Sequence, residues 1–289
     1  MFHFTYLQAI VIGLLQGLTE LFPVSSLGHA VIFPAWLGGT WAIFAKDPQY
    51  LLIAIAFHFA SALALLVVFG ERWIRILTSS FNSLRRRPDN GPGITLLLLL
   101  IVGSLPVAIL GLIFNDTFQE NFGKPVLAGV FLMINGLILF SVEKLTSRRN
   151  SHVTHAEPDA AIVERVTLGQ SLIVGMGQSL ALFAGISRFG ITMSFGMLRG
   201  LSRSVAADFA FLLAFPVIFG ASLLKLPKLQ HGAITAWGPL SVGMLVSFIA
   251  TYFAITFLVK YFKSNSLRPF AYYCLFVGVA SIIRFGFFA

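Results

Sequence analysis

The chain has 289 residues, 57% of them hydrophobic and only 11% charged, with a mean hydropathy of +0.88. Soluble domains are about 45–50% apolar and about 25% charged, so the composition excludes a water-soluble globule and indicates one polytopic membrane domain over residues 1–289. The net charge of +9 is accounted for by basic loops on one membrane face, and nucleic acid is not an expected partner.

The first apolar region, about 5–45, is long enough to enter a bilayer but is interrupted at "FPVSSLGH", residues 22–29. No basic segment precedes it and no A-x-A exit follows, so no cleavable leader is expected. Uninterrupted spans of about 20 apolar residues follow at about 50–70, 94–114 and 125–143. A second interrupted region, about 166–199, breaks at "FAGISRFG", residues 183–190, and spans at about 206–224, 237–259 and 270–288 complete the chain. Irregular backbone at membrane depth survives only where protein or a wet cavity covers its amides and carbonyls. The single cysteine, Cys274, lies in the last run as a small buried hydrophobe and excludes an internal disulfide.

The loops set an orientation. Loop 71–93 carries Arg72, Arg75, Arg85, Arg86 and Arg87, and loop 144–165 carries Lys144, Arg148, Arg149 and Arg165. Between them, loop 115–124 sets Asp116 and Glu120 against Lys124. Two spans separate the basic loops, so both are placed in the cytoplasm. Arg199, Arg203, Lys260, Lys263 and Arg268 fall on that side if 166–199 enters and returns without crossing, and 5–45 then dips in from outside. Lys225 and Lys228 run weakly against this scheme, and Arg284 reads as an interfacial anchor.

Shifting the chain by 162 residues pairs Gln8 with Gln170, Gly13 with Gly175, Gln16 with Gln178, Leu18 with Leu180, Ser25 with Ser187 and Gly28 with Gly190. The fold expected is an all-α inverted repeat, each half one re-entrant helical hairpin plus three transmembrane helices. Its halves are 1–145 and 164–289, joined by a cytoplasmic linker at 146–163. The hairpins would enter from opposite faces and meet near the midplane, where helix N-termini offer free N–H groups to anions.

The polar residues gather at the breaks. Gln16 and Glu20 are four apart on one helix face, and a carboxylate at that depth needs a cation, a metal or water beside it. Ser25 or Ser26 can cap a helix that carries His29 one turn on. In "GISRFG", residues 185–190, Ser187 caps a second helix with Arg188 in its first turn, where a cation is unfavourable unless an anion faces it. Exposed amides, a hydroxyl and a guanidinium describe a phosphate or diphosphate socket. His58 has no partner nearby in sequence and reads as a local hydrogen-bonding residue, and Asp208 reads as the start of the span at 207. Walker A, H-E-x-x-H, CxxC and G-x-S-x-G patterns are absent from the sequence.

Gln16 and Glu20, then "PVSSLGH" at 23–29, "AGISRFG" at 184–190 and "GLSRSVAADFAFLLAFPVIFGA" at 200–221 resemble the bacterial undecaprenyl-diphosphate phosphatases, the intramembrane enzymes linked to bacitracin resistance. The resemblance covers most of the chain. It implies a multi-pass protein of the bacterial cytoplasmic (inner) membrane, with its site open to the periplasmic or extracellular side. Its substrate is polyprenyl diphosphate, cut to the monophosphate and inorganic phosphate to recycle the lipid carrier for cell-wall synthesis. The catalytic residues expected are Glu20, Ser26, His29 and Arg188; Gln16, Ser25, Ser187 and Gly190 would bind substrate. Glu20 and Gln16 would hold Mg²⁺ or Ca²⁺ together with the diphosphate. The nucleophile stays open among Ser26 activated by His29, His29 itself, and water activated by Glu20 or His29. The bilayer and the lipid are the partners, and a homodimer is compatible with both. Ala184 and Phe189 depart from the proline and second serine of the family's second motif, and Ala210 from a frequent serine. If that serine binds phosphate, Phe189 weakens the socket, leaving a less active paralogue as one alternative and a transporter of anionic lipid as another.

Overall fold

A computed structural model describes residues 4–85, 92–114, 117, 122–147, 158–225 and 236–288. The expectations for Arg86, Arg87, Asp116, Glu120, Arg148, Arg149 and Lys228 fall outside those residues. Among the described residues the regular structure is entirely helical. The protein is an all-α polytopic membrane protein, with six helices long and apolar enough to cross a bilayer. They are α4 (Pro48–Leu84), α5 (Gly93–Ile113), α6 (Pro125–Thr146), α10 (Arg203–Lys225), α11 (Trp237–Tyr261) and α12 (Arg268–Phe287). Large apolar side chains such as Ile74, Phe253 and Phe276 stand exposed on their outer faces, where lipid rather than water is the solvent.

Short helices occupy the two interrupted regions. The first holds α1 (Tyr6–Thr19), α2 (Ser26–Leu37) and α3 (Gly39–Ala45). The second holds α8 (Leu168–Ser179), a 3₁₀ turn at Leu180–Leu182 and α9 (Arg188–Leu198). Both begin on a capping box, in which Thr5 pairs with Gln8 and Thr167 with Gln170. Those boxes lie one 162-residue shift apart, and the larger packing is reciprocal. α1 packs on α11 while α8 packs on α5, so each hairpin leans on a spanning helix from the other half of the chain. Gly13 and Gly175 make the close approaches, and a Cβ at either would strike the carbonyl of Gly243 or of Gly103. Small residues of this kind let helix backbones meet in a medium where apolar side chains gain nothing by leaving lipid.

Two expectations about loops change. α4 runs on to Leu84, 37 residues or about 55 Å of helix, so Arg72 and Arg75 belong to a helix rather than to a loop beginning at 71. Arg72 is held from two sides, by Asp159 and by Asp208 at 3.0 Å. Asp208 therefore anchors a contact between helices instead of merely starting a span. Part of the expected linker at 146–163 is α7 (Pro158–Arg165), which buries Ala161 and Ile162 in the main core. Glu143 ends the same way: it pairs with Arg203 and accepts the backbone N–H of Leu267 at 3.2 Å, closing α6, α10 and α12 together.

Candidate active site

α1 stops at Thr19 because Pro23 lies just beyond it and the residue before a proline disfavours helix. Glu20 caps the last turn, its N–H bonded to the Gln16 carbonyl at 2.9 Å. The chain then turns through Ser25, at φ +70°, a left-handed conformation rare for a residue with a Cβ. Several bonds hold it there. Its Oγ accepts the N–H of Gly28 at 3.2 Å, capping α2, and the N–H of Gly185 at 3.1 Å, from the other hairpin.

The opposite tip is built alike. Ser187 caps α9 by accepting the N–H of Gly190 at 3.1 Å, and its hydroxyl donates to the Phe22 carbonyl at 3.2 Å. Gly28 backs onto Gly185 and Gly190 onto Pro23, so closely that an added Cβ would lie 2.8 Å from the Gly185 Cα or 2.9 Å from the Pro23 Cβ. Asn135 of α6 braces both tips. Its Nδ2 donates to the Pro23 carbonyl at 2.9 Å and its Oδ1 accepts the Ser187 N–H at 3.0 Å. No sequence signal singles Asn135 out, since its partners lie in distant segments.

Glu20, Ser25, Ser26, His58, Ile186 and Arg188 line a small pocket where the tips meet. Three contacts converge on one oxygen of Glu20. Its Oε2 accepts Gln16 Nε2 at 2.8 Å and Ser26 Oγ at 2.5 Å, and His58 Nε2 stands 3.1 Å away. Across the pocket, Nε and Nη1 of Arg188 are shut off from solvent and have no hydrogen-bond partner. Buried guanidinium N–H groups without acceptors make an incomplete site for a charged group.

Glu20, Ser25, Ser26 and Arg188 line the pocket, Gln16 reaches it through Glu20, and Ser187 and Gly190 lie at the contact between the tips. His29 does not join Ser26. Its Nδ1 meets the Ser25 carbonyl at 2.7 Å and its Nε2 the Tyr273 hydroxyl at 2.8 Å, with the two rings stacked. The imidazole folds back one turn onto the strained Ser25 and faces α12, away from the pocket. His58 stands where His29 was expected, with Ser26 Oγ 3.5 Å from its Nε2. It also makes the local bond anticipated for it, Nδ1 to the Ala54 carbonyl at 2.7 Å. Phe189 likewise faces away, fully buried between Phe211 and Phe262. The Phe189 ring does not line the pocket.

The cation expected at Glu20 and Gln16 meets a sparse donor set. Among the described residues no three His, Cys, Asp or Glu side chains converge to hold a metal. One carboxylate oxygen, Oε1, is left over from the contacts above, beside one neutral amide. Such a pair suits a hard cation that takes most of its coordination from water and phosphate.

Comparison with known proteins places the chain in a family. The model of a family described as bacitracin resistance protein BacA matches residues 9–280. A protein of Mycolicibacterium paratuberculosis named undecaprenyl-diphosphatase is 42% identical, over 97% of each chain. One of the same name from Mycobacterium avium is 42% identical, over 96% of this chain and 97% of its own. An undecaprenyl-diphosphatase 2 of Frankia alni is 38% identical over 99% of both. With the match running from the first hairpin to the last spanning helix, the chain belongs to the BacA family of bacitracin resistance proteins.

Proposed function

We propose that the protein is a phosphatase that hydrolyses undecaprenyl, or another polyprenyl, diphosphate to the monophosphate and inorganic phosphate, returning the lipid carrier to cell-wall synthesis. The observation that carries this reading is the Arg188 guanidinium, its Nε and Nη1 without acceptors, lining one pocket with Glu20 and Ser26. The names of the relatives agree with it.

The chemistry follows from the contacts. Arg188 and the N–H groups at the starts of α2 and α9 bind the terminal phosphate and neutralise charge as it moves between oxygens. Ser26 Oγ bonds to the terminal phosphorus while its proton passes to Glu20 Oε2, already its hydrogen-bond acceptor. The bond from that phosphorus to the bridging oxygen breaks, and polyprenyl monophosphate leaves with the electron pair. Water then attacks the phosphoserine, the bond to Oγ breaks, and Ser26 takes back the proton held by Glu20. His29, engaged with Ser25 and Tyr273, shapes the turn that presents Ser26. Glu20 and Gln16 would hold Mg²⁺ or Ca²⁺ jointly with the diphosphate, where the ion supplies further charge neutralisation.

Leu27 lines the pocket and also an adjoining apolar groove formed with Leu127, Phe131, Leu182 and Phe183. The first isoprene units lie along that groove, so the phosphate enters the protein while the tail stays among apolar surfaces. The halves 1–145 and 164–289 act as an inverted repeat in the bacterial inner membrane, the first hairpin entering from the periplasmic face. The reciprocal packing of α1 on α11 and α8 on α5 supports that assignment.

Purified protein is expected to release phosphate from polyprenyl diphosphate, and Arg188→Ala or Ser26→Ala to lower kcat by about 100-fold or more with the fold retained. Turnover like wild type in either variant removes that residue's role; lipid movement across sealed vesicles without phosphate release refutes the hydrolytic reading.

A further inference from the structure

Resting on that hydrolytic reading, we propose that His58 is a positioning residue for the reaction, holding the Glu20 carboxylate with Oε2 turned toward Ser26. Glu20 sits where its helix ends, on a side chain with free torsions, and must nevertheless offer one particular oxygen to one hydroxyl. Gln16 approaches Oε2 from the same helix at 2.8 Å, and Ser26 belongs to the same hairpin. His58, on α4, is the contact on Oε2 that comes from outside the hairpin. It ties the carboxylate to a long spanning helix rather than to another part of the tip.

His58 is itself fixed. It is buried, and its Nδ1–H donates to the Ala54 carbonyl one turn back at 2.7 Å, so Nε2, aimed into the pocket, holds Glu20 as a second N–H of an imidazolium paired with the carboxylate. Below it, Ser61 is bonded into a cluster with Ser247 and Thr251 that joins α4 to α11, the helix on which α1 rests. The ring acts through Glu20 rather than on the nucleophile. Ser26 Oγ is 3.5 Å from Nε2 but 2.5 Å from Glu20 Oε2, so the hydroxyl proton is committed to the carboxylate. A histidine kept merely to fill space would have no need of an Nε2 directed at the pocket's carboxylate.

The test compares His58→Gln, whose amide still donates to a carboxylate, with His58→Leu, which fills similar space without a donor. Both are purified beside the wild type and assayed for phosphate release from polyprenyl diphosphate, with kcat, KM and the thermal midpoint read for each. His58→Leu is expected to lose about 100-fold in kcat, as a small misplacement of a reacting group does, with KM and thermal midpoint near wild type. His58→Gln is expected to recover most of that loss. The proposal is overturned if His58→Leu keeps more than half of the wild-type kcat, or if a folded His58→Gln is as slow as His58→Leu. Wild-type protein that releases no phosphate would instead refute the hydrolytic reading underneath.

Discussion

Ser26 and Arg188 hold the same place in the two halves of the chain, 162 residues apart, each the first residue of a short helix capped by the serine before it. One offers a hydroxyl and the other a guanidinium, so two like-capped helix starts carry different chemistries into one pocket. Glu20 has no such counterpart, because Leu182 stands at the equivalent position. Phe189 shows how adjacency in sequence misleads. One residue along a helix is about 100° around it, so the neighbour of a site residue faces the core. Phe189→Ser is accordingly expected to cost about 3 kcal/mol of stability from lost packing and to bring no gain in turnover; thermal unfolding beside a phosphate-release assay checks both. Glu20, Ser26 and Arg188 were legible because polar groups at a break in an apolar run are conspicuous. His58 was not, since it lies in mid-helix among apolar neighbours and its partner is on another element. The expected pairing of Ser26 with His29 failed because the nearby Ser25 carbonyl captures the imidazole.

At the scale of elements, the helices themselves were largely readable, since each span announces itself by length and hydropathy. α4 outran its expected end because Arg72 and Arg75 look like loop residues until Asp159 and Asp208 are seen beside Arg72. α7 was hidden in the same way, being too short and polar for a span yet packed through Ala161 and Ile162. The role of α6 is the least visible in sequence. Asn135 satisfies a carbonyl of one tip and an N–H of the other, and Asn135→Ala would leave the Ser187 N–H buried and unpaired, at about 1–3 kcal/mol, and the Pro23 carbonyl with the weaker Cys274 thiol donor at 3.7 Å. That variant is expected to unfold at lower temperature and to release phosphate more slowly, because both tips lose their common brace. Unchanged melting and turnover would show that the tips hold their register without α6.

For the whole molecule, the reciprocal contacts give a plan in which each hairpin crosses into the other half. The orientation proposed for it is open to direct test, because the sole cysteine, Cys274, is buried. Cysteine placed at Lys124 is expected to react with an impermeant maleimide added outside intact cells, and cysteine at Arg85 only after the membrane is opened. The reverse pattern would put the pocket's entrance on the cytoplasmic side.

The seating of α1 on α11 also dictates an order of assembly. The arm that bears Glu20 precedes α11, the helix on which α1 rests, by most of the chain, since that helix runs from Trp237 to Tyr261. Until that helix is made, α1 lacks the surface that its Gly13 and Gly17 meet. Glu20 is thus carried on an arm whose packing partner is made long after it.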